Sequence, residues 1–222
     1  MDVRQFKPEA WAEQSARLIQ DAVQDAFLRQ GGCSVMLTGG RSAERLYRAW
    51  RELPDFNQLH SVAFFFGDER CVPPDDHESN YGLAMRTLFD QGIPYGCSVM
   101  RIEAEHPDRE GASLRYERLL PSRIDVLLLG VGEDGHIASL FPHGAPLGER
   151  ARKLVPVVGP KEPRARMTAT PVVIAHASSV FVLANGEAKA AVLRRVVAGT
   201  EDCDVLPACL VREATWLLDT PL

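Results

Sequence analysis

The residues best suited to chemistry lie in one short segment, residues 130–136, whose sequence is GVGEDGH. A neutral imidazole such as that of His136 can accept a proton from water and return it later, and an unperturbed imidazole titrates at about pH 6.5. Asp134 is near enough in sequence to orient the imidazole or to stabilise its cationic form. The segment therefore predicts general acid–base chemistry at His136, and the alternative is a surface turn that contains a histidine.

The elements that precede this segment predict where it lies. Residues 125–129 form a short apolar run, typical of a strand buried on both faces. Residues 33–37 and 62–66 are similar runs, followed by the polar segments 38–42 and 67–70. In a parallel sheet the carboxyl ends of the strands share one edge, where ligands usually bind. We expect the three polar segments to converge on one cleft, although 67–70 alone is also typical of a solvated charged turn.

Residues 38–42, TGGRS, predict an anion site. A strand, the pair Gly39 and Gly40 and the start of a helix leave backbone N–H groups and the positive end of the helix dipole facing one point. Arg41 can add a charge-matched contact to a phosphate, and Ser42 is a candidate N-cap. The alternative is an ordinary tight turn capped by Ser42. The segment matches neither a Walker A loop nor GxGxxG, so it does not imply a nucleotide.

Hydrophobic periodicity predicts alternating helices and strands along the chain. The basic, proline-rich segment 155–171 is expected to be a long loop that carries Arg166, and Lys189 lies in the first turn of a helix. We predict one α/β domain over residues 1–222, with a doubly wound, mainly parallel sheet flanked by helices. The predicted helices are 8–31, 43–51, 79–89, 109–120, 170–177 and 187–198, and the predicted strands are 33–37, 62–66, 97–102, 125–129, 180–184 and 215–218.

Composition excludes several classes of protein. The net charge of −5 argues against a nucleic-acid-binding surface. No apolar run approaches the roughly 18 residues that span a bilayer, and the first residues lack the apolar stretch of a signal peptide. The five cysteines form no CxxC pair, which favours reduced thiols over a disulfide framework or a zinc site. A cytoplasmic protein without a metal or other cofactor is expected.

At this point the chain resembles a known family. The segments TGGRSAERLY, FFFGDERCVP with SNYGLA, LLLGVGEDGHIASLFP, RMTATPVVI and GEAKAAVL are similar to those of the family of 6-phosphogluconolactonases and glucosamine-6-phosphate isomerases or deaminases. The resemblance covers essentially the whole chain. The ending Ser139-Leu140-Phe141-Pro142 favours the lactonase members, since the deaminases carry an Asn-Glu-Pro ending there. One departure is Arg41-Ser42-Ala43, where many relatives have Ser-Thr-Pro, and it leaves the role of Arg41 open.

The resemblance implies a fold like that of glucosamine-6-phosphate deaminase and hydrolysis of 6-phospho-D-glucono-1,5-lactone in the oxidative pentose phosphate pathway. It implies that His136 is catalytic, with Asp134 and Asp68 beside it. Substrate-binding residues would be Gly39, Gly40, Arg41, Ser42, Arg70, Arg166 and Lys189. A small sugar phosphate is the expected partner, without nucleic acid or membrane, and the chain is expected to be a monomer or a weak homodimer. The alternatives are an amino-sugar phosphate isomerase–deaminase and a sugar-phosphate sensor without catalysis.

Overall fold

Apolar strands alternate with helices along the chain, and this alternation builds a parallel sheet. The computed structural model describes residues 1–221. The helices are α1 (Trp11–Gln30), α2 (Arg41–Arg51), α3 (Asn80–Thr87), α4 (Arg109–Glu117), α5 (Pro171–Ala175) and α6 (Glu187–Ala198). The strands are β1 (Asp2–Gln5), β2 (Cys33–Leu37), β3 (Val62–Phe66), β4 (Asp68–Arg70), β5 (Ser98–Val99), β6 (Val126–Gly130), β7 (Leu154–Val158), β8 (Ala165–Ala169), β9 (Ser179–Ala184) and β10 (Thr215–Leu218).

The main sheet has seven strands in the order β1-β10-β9-β6-β2-β3-β5, and every neighbouring pair in it is parallel. The predicted parallel α/β fold is confirmed. From β2 the chain adds β3 and β5 on one side, whereas β6, β9 and β10 lie on the other side. The order of strands therefore reverses between β2 and β6, and a crevice at such a switch point is the usual ligand site of an open α/β sheet.

Burial explains why β2 and β6 occupy the centre of the sheet. All five residues of β2 are buried, and in β6 only the terminal Gly130 is partly exposed. The amphipathic helix α1 packs Trp11 into the same core, and the indole nitrogen of Trp11 donates to the carbonyl oxygen of Leu217 at 2.9 Å. Burying a large apolar side chain stabilises a fold by about 1.5–3 kcal/mol. The central strands thus form the rigid base from which the polar loops extend.

The second sheet departs from the sequence prediction. Residues predicted as a loop, 155–171, instead form the antiparallel hairpin of β7 and β8, and α5 begins at Pro171. Residues 67–70, for which a solvated charged turn was the alternative interpretation, contain β4, which pairs with β8 in the order β4-β8-β7. Prolines and charges masked the strand pattern, because β7 is only partly buried and β4 is three residues long. This sheet places Arg166 on a strand rather than on a loop.

Other departures are smaller. Strand β1 was not predicted, the predicted strand 97–102 is reduced to Ser98–Val99, and α4 ends at Glu117 rather than at 120. The expectation that all the cysteines are reduced is wrong in one place. Cys203 and Cys209 are joined by a disulfide, with their Cα atoms 5.3 Å apart. The pair lies on a short turn that brings the two residues together, and their separation of six residues matches no metal motif.

No helix within residues 1–221 is both long and apolar enough to cross a membrane.

Candidate active site

The polar loops that follow β2 and β6 meet at the switch point of the sheet. A hydrogen bond joins them directly, because the backbone N–H of Gly130 donates to Oγ1 of Thr38 at 3.2 Å. The hydroxyl of Tyr47 holds the first loop from below, donating to the carbonyl oxygen of Thr38 at 2.6 Å and accepting from its N–H at 3.0 Å. The two loops are thus fixed to each other and to the core.

The start of α2 provides free backbone donors. Its N-cap is Gly40, with φ of +88°, and no side chain caps it, so the prediction of Ser42 as the N-cap is wrong. Only glycine adopts such a backbone conformation readily. Since the first N–H groups of a helix have no partner inside the helix, α2 presents donors and the positive end of its dipole to the cleft.

Lys189 extends from the first turn of α6 to the start of α2. Its Nζ donates to Oγ of Ser42 at 2.9 Å, which connects two helices far apart in sequence. Burial, and then the positive charge of Arg41, lower the pKa of Lys189 below its ordinary value of 10.5. Two cations beside a helix N-terminus form an arrangement that an anion would stabilise.

Arg70 and Arg166 form a second pair of cations. They lie directly opposite each other in the antiparallel ladder of β4 and β8, where like charges are unfavourable. Arg166 is 9% exposed, and burial together with the charge of Arg70 lowers its pKa. Arg166 Nε donates to the carbonyl oxygen of Pro163 at 2.9 Å, and Arg70 Nη1 donates to that of Glu78 at 2.7 Å. Both guanidinium groups are therefore held in place against their mutual repulsion.

His136 and Asp134 form a hydrogen-bonded pair. The His136 Nδ1 atom lies 2.6 Å from Oδ1 of Asp134. A carboxylate only accepts, so Nδ1 carries a proton, and in the neutral imidazole Nε2 has a free lone pair. The hydrogen bond from His136 holds the pKa of Asp134 at about 2. The ring of Phe141 packs beside the imidazole, with their centroids 4.9 Å apart.

Gly132 makes room for this pair. A Cβ atom at Gly132 would lie 2.1 Å from His136 Nδ1 and 2.6 Å from Asp134 Oδ1. Its backbone N–H also donates to the carbonyl oxygen of His136 at 2.8 Å, which closes the turn. The glycine in this position is thus required by the close approach of the imidazole.

Asp68 lies at the centre of a buried network that the sequence did not predict. Its Oδ2 accepts from Oγ of Ser139 at 2.8 Å, and its Oδ1 accepts from Nδ2 of Asn80 at 3.1 Å. Glu69, which the alternative of a solvated turn would expose, is buried and accepts the backbone N–H groups of Asn80 and Tyr81 at 2.7 and 2.8 Å. Asn80 and Ser139 are therefore site residues that sequence reasoning missed. The signal available was their presence in the SNYGLA and DGHIASLFP segments.

These groups surround one cleft of about 140 Å³. Of the predicted site residues, only Asp134 does not line it: Asp134 lies behind His136 and borders a wider groove of about 850 Å³. The cleft therefore combines an imidazole with a free nitrogen, a buried carboxylate and four cationic side chains. The residues that line it are Thr38, Gly39, Gly40, Arg41, Ser42, Asp68, Arg70, Asn80, Gly130, Val131, His136, Ala138, Arg166 and Lys189.

The chain is similar to known proteins over most of its length. The model of the family described as glucosamine-6-phosphate isomerases/6-phosphogluconolactonase matches residues 7–218. A 6-phosphogluconolactonase of Streptomyces coelicolor is 33% identical, over 96% of this chain and 89% of its own, and that of Rattus norvegicus is 40% identical, over 86% and 79%. The crystal structure of a putative 6-phosphogluconolactonase from Neisseria gonorrhoeae superimposes with a TM-score of 0.84 at 27% identity, covering 98% of both chains.

Proposed function

The chain belongs to the family of glucosamine-6-phosphate isomerases and 6-phosphogluconolactonases, and from this premise we propose that it hydrolyses 6-phospho-D-glucono-1,5-lactone to 6-phosphogluconate, a step of the oxidative pentose phosphate pathway. One observation carries the proposal. His136 is oriented by Asp134 in a cleft whose other walls hold Lys189, Arg166 and the start of α2. This combination provides a base for water and a site for a phosphate.

The cationic groups explain why the substrate would be a sugar phosphate. One small cleft is lined by Lys189, Arg41, Arg166 and Arg70 together with the N-terminus of α2. A phosphate dianion relieves the repulsion within either pair and accepts hydrogen bonds from the free N–H groups of α2. We assign Lys189, Arg166 and the Gly39-Gly40 turn to the 6-phosphate. Binding of this remote group positions the lactone carbonyl carbon against the attacking water.

His136 performs the proton transfers in the proposed reaction. Nε2 takes a proton from water as the water oxygen bonds to C1, and the carbonyl oxygen becomes an oxyanion. The bond between C1 and the ring oxygen then breaks, and the imidazole returns the proton to that oxygen. General acid–base assistance of this kind is typically worth about 10²- to 10⁴-fold in rate. At near-neutral pH the carboxylic acid group of the product is ionised, so each turnover releases one proton into the solution.

The two aspartates have different roles in this proposal. Asp134 holds the imidazole in the tautomer that leaves Nε2 free and stabilises the cation formed during proton transfer. Both oxygens of Asp68 already accept hydrogen bonds, from Asn80 and Ser139. We therefore assign Asp68 to the organisation of the cleft and the proton transfer to His136.

The experiment that tests the function is proton release from freshly prepared 6-phosphogluconolactone, measured against the spontaneous rate. Gluconolactone without the phosphate and the variants His136→Ala and His136→Asn are run alongside. We expect acceleration that needs both the phosphate and His136, while binding of 6-phosphogluconate to the variants is retained. Acceleration that survives loss of His136 would contradict its role, and no acceleration at all would make glucosamine 6-phosphate the next substrate to test.

A location in the cytoplasm is also part of the proposal. It is supported by the thiols of Cys33, Cys71 and Cys97, which are free, as expected in a reducing compartment.

A further inference from the structure

The side-chain amide of Asn80 has a defined orientation. One end of it lies 2.9 Å from the carbonyl oxygen of Asp68 and 3.1 Å from Oδ1 of the same residue. Both of these atoms only accept hydrogen bonds, so the amide nitrogen must be the end that faces them. The two acceptor oxygens of Asp68 thus identify the nitrogen end of the amide. Oδ1 of Asn80 consequently points away from Asp68.

Oδ1 of Asn80 faces the turn of Gly39 in the wall of the cleft. A Cβ atom at Gly39 would lie 1.8 Å from this oxygen, so the close approach depends on the glycine. Asn80 is 1% exposed and lines the cleft. Within residues 1–221, Oδ1 accepts no hydrogen bond, whereas the amide nitrogen donates to two oxygen atoms of Asp68. An acceptor that borders the cleft and has no protein donor is available to a donor group of a ligand, and a few such polar groups commonly fix a ligand's orientation.

The surrounding contacts hold this acceptor rigidly. Glu69 accepts the backbone N–H of Asn80 at 2.7 Å and thereby fixes the first residue of α3. Ser139 donates to the second oxygen of Asp68 at 2.8 Å, which prevents the carboxylate from turning away from the amide. An acceptor held in this way needs no rearrangement to bind a donor, and such preorganised groups give selectivity.

The charge of the substrate decides which of its groups fits Oδ1. A phosphate dianion only accepts hydrogen bonds, so its oxygens would repel a carbonyl oxygen. The hydroxyl groups of the sugar lactone are donors. We propose that Asn80 is a specificity-determining residue whose Oδ1 accepts a hydrogen bond from one hydroxyl group of the sugar. This inference rests on the proposed hydrolysis of a sugar-phosphate lactone, and it gives Asp68 and Ser139 the role of positioning residues for Asn80.

The test compares the wild type with Asn80→Ala on a series of 6-phosphogluconolactones that lack the hydroxyl at C2, C3 or C4. The wild type is expected to hydrolyse one of the deoxy lactones with kcat/KM lower by about tenfold, the typical effect of one hydrogen bond. Asn80→Ala is expected to lose this discrimination at that position and to keep the wild-type ratios at the other two. Its kcat/KM for the complete lactone should fall by a similar factor.

Controls separate this effect from general damage to α3. Thr87→Val removes a buried hydroxyl of the same helix, which donates to the carbonyl oxygen of Leu83 at 2.7 Å. This change should leave all kcat/KM ratios between the deoxy and the complete lactones unchanged. If Asn80→Ala does not fold, Asn80→Ser takes its place, because the shorter side chain cannot bring an acceptor to the position of Oδ1.

The outcomes are distinct. One outcome is that the wild type hydrolyses the complete lactone while an Asn80 variant keeps every wild-type ratio of kcat/KM between the deoxy and the complete lactones. In that case the role of Asn80 is overturned and the proposed function stands. If the wild type does not accelerate hydrolysis of the complete lactone, both are overturned.

Discussion

Nδ1 of His136 lies 2.6 Å from Oδ1 of Asp134, and the same oxygen accepts the backbone N–H of His136 at 3.1 Å. One carboxylate oxygen thus fixes both the ring and the backbone of the histidine. The contact holds the pKa of Asp134 at about 2, below its ordinary value of 3.8. Asp134 therefore stays charged across the whole range in which hydrolysis would be measured, and it does not itself titrate there.

Replacing Asp134 by Asn tests this arrangement. We expect kcat to fall about 10²-fold, within the range of general acid–base catalysis, because the tautomer of the imidazole is no longer enforced. KM should change little, since Asp134 does not line the cleft. A kcat of Asp134→Asn equal to that of the wild type would contradict the role of this contact.

A second prediction concerns Gly132. Gly132→Ala places a Cβ atom where the imidazole now lies, 2.1 Å from Nδ1, so His136 must move. We expect a loss of at least about 10²-fold in kcat with the circular dichroism spectrum unchanged, since a displaced base loses its geometry. The matched control is Gly148→Ala, because nothing lies within 4 Å of a Cβ there. Activity of Gly132→Ala equal to that of this control would show that His136 is not the base.

The third prediction uses the lowered pKa of Lys189. Burial and the charge of Arg41 lower this pKa below 10.5, so the ammonium group loses its proton at a lower pH than an ordinary lysine. Binding of the phosphate needs the charged form, so the affinity for 6-phosphogluconate should fall as the pH rises toward this pKa. Calorimetry with 6-phosphogluconate, the stable product, measures this fall in affinity between about pH 7 and 10.

Two variants check the assignment to Lys189. Lys189→Arg keeps its charge over this range and should remove the pH dependence. Arg41→Gln removes the repulsive neighbour, so the fall in affinity should move to higher pH, although the affinity at neutral pH decreases. If the affinity of Lys189→Arg for 6-phosphogluconate falls with rising pH as it does in the wild type, a group other than Lys189 titrates.

The fourth prediction concerns stability. Glu69 is 3% exposed and accepts the backbone N–H groups that start α3. Glu69→Gln turns one acceptor oxygen into a donor that faces other donors, so the free energy of unfolding should fall by about 1–3 kcal/mol. Urea denaturation measures it. Glu44→Gln, at a side chain 43% exposed in a surface ion pair, should change the free energy by less than about 0.5 kcal/mol. Equal changes in the free energy of unfolding for Glu69→Gln and Glu44→Gln would show that Glu69 is exposed to solvent.

The sequence alone determined the parallel sheet and the polar loops at its edge. Strands buried on both faces are continuous apolar runs, and β2, β3 and β6 were predicted from this pattern within one residue at either end. The contact of Asp134 with His136 was also accessible, because the two residues are only two positions apart. These features depend on local order along the chain, which a sequence displays directly.

The tertiary structure decided which distant groups face one another. The pairing of Arg70 with Arg166 depends on the register of β4 and β8, and neither strand shows a clear apolar pattern. The contact between Lys189 and Ser42 spans 147 residues, and the orientation of the Asn80 amide follows from acceptors on a different element. Such contacts arise from packing, because side chains from separate elements meet only after the sheet has set their positions. The residue types of the cleft were therefore visible in the sequence, whereas their partners were not.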